Sequence, residues 1–208
     1  MATYLHVAPA LALALVLGPQ RVPWRWCLLG AFFAVLPDAD EFLVRMHVDT
    51  YRGPYGDMGF SHSLGMAWLA GWTGGLWARV HPEHRHRSTV LGVYLALCWA
   101  SHPFLDALLD VGICNAWLWP LNTERLCFSW RPVPMQGVSL FGWKRFAMEL
   151  QWIGLPLMVG TLLLLVLKGV EKRDAGRAAA LLRPCPQGCG ALPADPGPYY
   201  APLGRPLS

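Results

Sequence analysis

Five apolar runs divide the first 170 residues, at about 4–18, 24–36, 63–80, 89–109 and 150–170. The last two reach the roughly 20 residues that a helix needs to cross a bilayer. The first two are shorter. They read as a broken pair of helices, or as spans completed by flanking polar residues that face protein. The first run lacks the basic start and the small-residue cleavage site of a secretory signal, so it is expected to stay as a mature helix. The pattern predicts an all-α, polytopic membrane bundle of about five helices over residues 1–170. Between the last two runs, 110–149 holds Trp117, Trp119, Trp130, Trp143 and several Pro. It reads as an interfacial loop that caps the bundle, with a short amphipathic helix around 141–150. Residues 171–208 are rich in Pro, Gly, Ala and Arg and are expected to form a disordered cytoplasmic tail.

Composition supports the membrane reading. Of 208 residues, 54% are hydrophobic and 14% charged, against about 25% charged in a soluble domain. Eleven Trp suit a chain that meets two membrane–water interfaces. The net charge of +4, with no basic cluster interleaved with aromatics, argues against a nucleic-acid partner. Lys and Arg are uneven. Eleven fall in the turns 18–25 and 79–88 and in the tail, and six in 37–62 and 110–149. The basic side is expected to be cytoplasmic. That puts the N-terminus outside and the C-terminus in the cytoplasm.

This topology gathers the chain's ionisable outliers. Three polar islands break the apolar pattern: Leu36-Pro37-Asp38-Ala39-Asp40, Gly59-Phe60-Ser61-His62-Ser63 and Ser101-His102-Pro103-Phe104-Leu105-Asp106. Each places His or Asp at the end of an apolar run, where ionisable groups are costly and mark function by default. His6 adds another in the first run. All fall at the same, outer end of the predicted helices. His102 and Asp106 are four apart, so one helix face presents both. Asp38 and Asp40 follow Pro37 and offer two carboxylates, or a helix cap. Ser61 and Ser63 suit an N-cap. Such mixed imidazole and carboxylate sets hold divalent metals. The His81-Pro-Glu-His84-Arg-His86 cluster has ligand spacing too, but it lies in the basic turn on the opposite side and reads as solvated.

Of six Cys, Cys27 and Cys98 lie in apolar runs and read as core. Cys114 and Cys127 share one loop and would pair in an oxidising compartment. Cys185 and Cys189 have the wrong spacing for a redox or zinc pair.

At these islands the chain resembles the YdjM-type family of inner-membrane metal-dependent hydrolases, described as LexA-regulated. Members show an early His, LPDxD, HRGxTHS, HxxxD and a W-P-x-x-x-x-R stretch. Here these read as His6, Leu36–Asp40, Gly59–Ser63, His102–Asp106 and Trp119–Arg125, in order, from residue 6 to about 160. One departure stands out: Asp57-Met58 occupies the place of the family's His-Arg. The resemblance implies metal-assisted hydrolysis in a bacterial inner membrane. The expected ligands are His6, Asp38, Asp40, His62, His102 and Asp106, with zinc or manganese as the divalent metal. Asp40, His102 and Asp106 are expected to carry catalysis, with Asp40 as a candidate general base. Arg125 and Arg131 are candidates to clamp a phosphate. The expected substrate is a membrane lipid or lipid-linked phosphoester. Three alternatives exist: a lipid phosphatase with a His nucleophile, whose other motifs are missing here; an ion or metal transporter, which would spread charges along the membrane depth; and a non-catalytic protein whose His and Asp bridge helices.

Overall fold

The structure, a computed structural model, describes residues 5–50, 53–110, 112–134 and 142–181. The chain divides into two compact units, Met1–Leu167 and Lys168–Ser208. The described residues are mostly helical.

In the first unit, α1 (Ala8–Leu17) starts with Pro9 in its first turn, where a missing N–H costs nothing. It stops at Gly18, whose φ of +82° suits glycine. Helix α2 (Trp24–Val35) passes into a 3₁₀ turn, Leu36–Ala39, and then into α3 (Asp40–Arg45). The backbone is therefore helical from Trp24 to Arg45. The short second apolar run is followed without a break by a polar helical flank. The short first run gives the short helix α1.

Helices α4 (Leu64–Val80) and α5 (Ser88–Ala107) form an antiparallel hairpin through a turn at Arg85–Arg87. Glycines bring their backbones into contact. A Cβ on Gly92 would lie 2.8 Å from the Gly71 carbonyl oxygen and 3.2 Å from the Gly75 Cα. Gly71 and Gly75 are four apart, the small-residue spacing that lets membrane helices close up. Helix α5 is central, packing against α1, α2 and α4. Leu91, Tyr94 and Leu95 on α5 are fully buried against Ala10, Trp26 and Ala34. The Tyr94 hydroxyl donates to the Ala10 carbonyl at 3.2 Å, and its ring fills the space that Gly30 leaves open.

The loop after α5 is braced rather than loose. A two-residue parallel pairing joins β1 (Leu109–Asp110) to β2 (Val133–Pro134), and a disulfide joins Cys114 to Cys127. Trp117 stacks on Phe128 at 5.5 Å. The expected short helix is α6 (Trp143–Glu149). A π turn, Leu150–Gly154, connects it to α7 (Leu155–Leu181). Ile153 packs with Leu5, Leu105, Leu109 and Val133. Among the described residues, two stretches are long and apolar enough to cross a membrane, Arg85–Ala107 and Trp143–Gly176.

The expected disordered tail from residue 171 is corrected in its first part, because the helix continues to Leu181. Residues 168–181 are dominated by Ala, Lys, Arg, Glu and Leu, all good helix formers, and the first Pro comes at 184. Residues 182–208, with Cys185 and Cys189, lie outside the described residues.

Candidate metal centre

Three segments meet at one point. Asp38 comes from the 3₁₀ turn after α2, His62 from the 3₁₀ turn before α4, and His102 and Asp106 from the last turns of α5. One ligand atom from each of these four lies within 4.8 Å of every other. Among the described residues, this is the group whose metal-ligating atoms converge.

Asp106 is the hub. Its Oδ2 lies 3.2 Å from His62 Nε2 and 3.3 Å from His102 Nε2, and Asp38 Oδ1 is 3.4 Å from His102 Nε2. These contacts are close, yet the two Nε2 atoms and both Asp106 oxygens are buried without a well-formed hydrogen bond. Lone pairs aimed at a common centre explain both facts. Ligands held about 2.0–2.1 Å from a tetrahedral zinc ion stand about 3.3–3.4 Å from one another.

What lies behind the imidazoles strengthens this fit. His102 Nδ1 donates to the Ala34 carbonyl at 2.7 Å. His62 Nδ1 lies 3.0 Å from Asp40 Oδ2. With each Nδ1 proton engaged outside, each Nε2 lone pair faces inward, the usual outer-shell arrangement for ligating histidines. The Ser61 hydroxyl donates to the same Asp40 oxygen, and the Trp99 indole N–H donates to the Ser61 carbonyl at 2.7 Å. Ser63 is the N-cap of α4, its hydroxyl accepting from Met66 N.

The structure thus separates the two carboxylates of the Asp38–Asp40 pair. Asp38 faces the cluster and Asp40 stands behind His62. His6, nearly fully buried, stacks on His102 with ring centroids 3.8 Å apart and reaches Asp106 Oδ1 at 3.4 Å. Asp57, in the family's His position, is completely buried beside the cluster but is not one of the four converging groups. Burial pushes its carboxyl up.

Both arginines have partners within the protein. Arg125 donates to the carbonyls of Asp57, Cys114 and Gly53 at 2.7, 3.1 and 2.9 Å. It fastens the 53–59 loop to the disulfide loop, where Met58 holds a φ of +56°. Arg131 pairs with Asp110 at 3.4 Å on the surface. A feature the sequence reading passed over is a buried ion pair on α6, Arg145 Nε to Glu149 Oε1 at 2.8 Å. Its signal was an i, i+4 charge pair next to an apolar run. His81 and His84 do not converge. His81 binds the Trp77 carbonyl, and His84 packs edge-on to Trp26.

Asp40→Asn keeps the shape behind His62 and removes its negative charge. Metal affinity is expected to fall about 10–100-fold. Titration against a chelator of known affinity reads this directly, and an unchanged affinity would remove Asp40 from the site.

No solved structure matches the chain. Inner membrane protein YbcI of Escherichia coli (strain K12) is 30% identical over 164 residues, which cover 74% of this chain and 91% of that protein. The model of the YdjM inner membrane protein family matches residues 1–175, a stretch that contains all four converging groups. The chain belongs to the YdjM inner membrane protein family.

Proposed function

We propose that the protein is a polytopic, membrane-bound, metal-dependent hydrolase acting on a lipid or lipid-linked phosphoester. The observation that carries this reading is the convergence of Asp38, His62, His102 and Asp106, with both imidazole Nδ1 protons engaged behind the site. Two nitrogens and two carboxylates suit zinc or manganese. A divalent ion held there lowers the pKa of a water and polarises the scissile group.

The chain's own residues do the rest. His62 and His102 present fixed Nε2 atoms, and Asp38 and Asp106 supply negative charge. Asp40 holds the His62 ring in place from behind, with Oδ2 3.0 Å from Nδ1. The site's place at one end of the helices favours hydrolysis over transport, which needs polar groups along the membrane depth. We place this end on the non-cytoplasmic side, with the C-terminus in the cytoplasm. The Cys114–Cys127 disulfide belongs in an oxidising compartment, and the turn at the other end carries Arg85 and Arg87.

Metal-loaded protein in detergent is expected to release phosphate or a phospho-headgroup from at least one member of a panel of phospholipids and polyprenyl phosphates. Asp106→Asn is expected to abolish that release. A silent panel, with metal bound, would count against the hydrolase and leave the non-catalytic reading.

A further inference from the structure

An apolar groove of about 540 Å³ runs between α1, α5 and the segment from the π turn into α7. We infer that it seats one hydrocarbon chain of the lipid whose headgroup is presented to the metal centre. This rests on the hydrolase reading above for the headgroup, and on the groove's own geometry for the chain.

One end of the groove lies at the level of the cluster along α5. Pro9 lies three residues after His6, and Leu105 and Leu108 flank Asp106 in sequence. Trp152 of the π turn lines the groove as well. From the level of the cluster the groove descends along α5 to Leu97, about 16 Å at the helical rise. Gly160 and Leu164 of α7 line its deep end. A Cβ on Gly160 would meet nothing within 4 Å, so the lower floor stands open. The volume falls in the range of small-molecule sites, roughly 300–1,000 Å³. The shape is long, and every wall belongs to an apolar segment at the level of the membrane helices.

Lipid tails are as apolar as the groove, so a chain gains little by moving into it from the bilayer. The groove therefore orients rather than attracts. A lipid is selected when its tail lies in the groove while its headgroup is held at the ligand cluster. Ordinary annular lipid would show no such preference over the outward faces of α7, where Val159, Leu162 and Leu163 are exposed.

The test uses full-length, metal-loaded protein in phosphatidylglycerol nanodiscs doped with phosphatidic acid that carries a diazirine on its acyl chain. Irradiation is followed by peptide mapping. A diazirine near the ester is expected to label Leu105, Leu108 or Trp152. One near the chain end is expected to label the region of Leu164 in preference to Leu162 and Leu163. Gly160→Phe fills the floor and is expected to lose the deep label while keeping the shallow one. Val159→Phe, on the exposed face, is expected to keep both. Labels spread evenly around α7, or a deep label that survives Gly160→Phe, would overturn the groove whatever the activity. Ordered labels without any hydrolysis would uphold the groove as a lipid-binding site and fail only the hydrolase reading.

Discussion

Replacing His102 with alanine is expected to strip the protein of its metal. The native protein, purified without chelators, is expected to carry close to one equivalent of zinc or manganese by elemental analysis, and His102→Ala close to none. The reasoning is geometric. His102 Nε2 lies within 3.4 Å of both Asp38 and Asp106, so its loss removes the ligand that adjoins both carboxylates. The remaining acids then face each other with less positive charge between them. Loss of an outer partner already costs about 10–100-fold in affinity, and loss of an inner ligand should exceed that. His81→Ala, at the opposite end of α4, serves as the control and is expected to keep its metal. A native protein with no metal would undercut the centre itself.

The second large effect is expected at Gly92, far from the chemistry. Gly92→Leu drives a branched side chain into the backbone of α4, where even a Cβ stands 2.8 Å from a carbonyl oxygen. Overfilling a packed interior costs about 1–3 kcal/mol, occasionally more. Here the obstacle is backbone, which no rotamer relieves, so the upper end applies. Because His62 immediately precedes α4 and His102 sits on α5, parting the hairpin also separates the ligands. A lower melting temperature in detergent, together with metal loss, is the expected pair of results. Gly169→Leu, where a Cβ meets nothing within 4 Å, is expected to melt like the native protein. Equal melting of the Gly92 variant would show that the hairpin does not depend on close backbone contact.

The main lines were legible because two independent signals agreed. Hydropathy marked where the helices run. The uneven Lys and Arg put His6, Asp38, Asp40, His62, His102 and Asp106 at one end of the predicted helices. The i, i+4 spacing of His102 and Asp106 needed only helical geometry. What was not legible depended on local backbone. Asp38 and Asp40 differ in role because a 3₁₀ turn, set by Pro37, sends their side chains to different imidazoles. Arg125 has a phosphate-binding side chain, and nothing in its sequence neighbourhood announces that three carbonyls from two loops surround it. The Gly71, Gly75 and Gly92 contact was visible in principle as small-residue spacing, but its partner is a single glycine on the next helix. The helix through Leu181 was hidden by grouping good helix formers with the Pro-rich stretch that follows them.

The four converging groups come from three segments of the chain, the turn after α2, the turn before α4 and the end of α5. Inside a bilayer, apolar surface contributes little to holding helices against one another. A cation at this point would thus act as a fastener for the bundle as well as a reagent. At a free concentration of about 100 times its dissociation constant, a ligand that binds only the assembled state adds about 2.7 kcal/mol to its stability. Occupancy and architecture are then one linked equilibrium, and scarcity of the ion would loosen the same helix ends that shape the site.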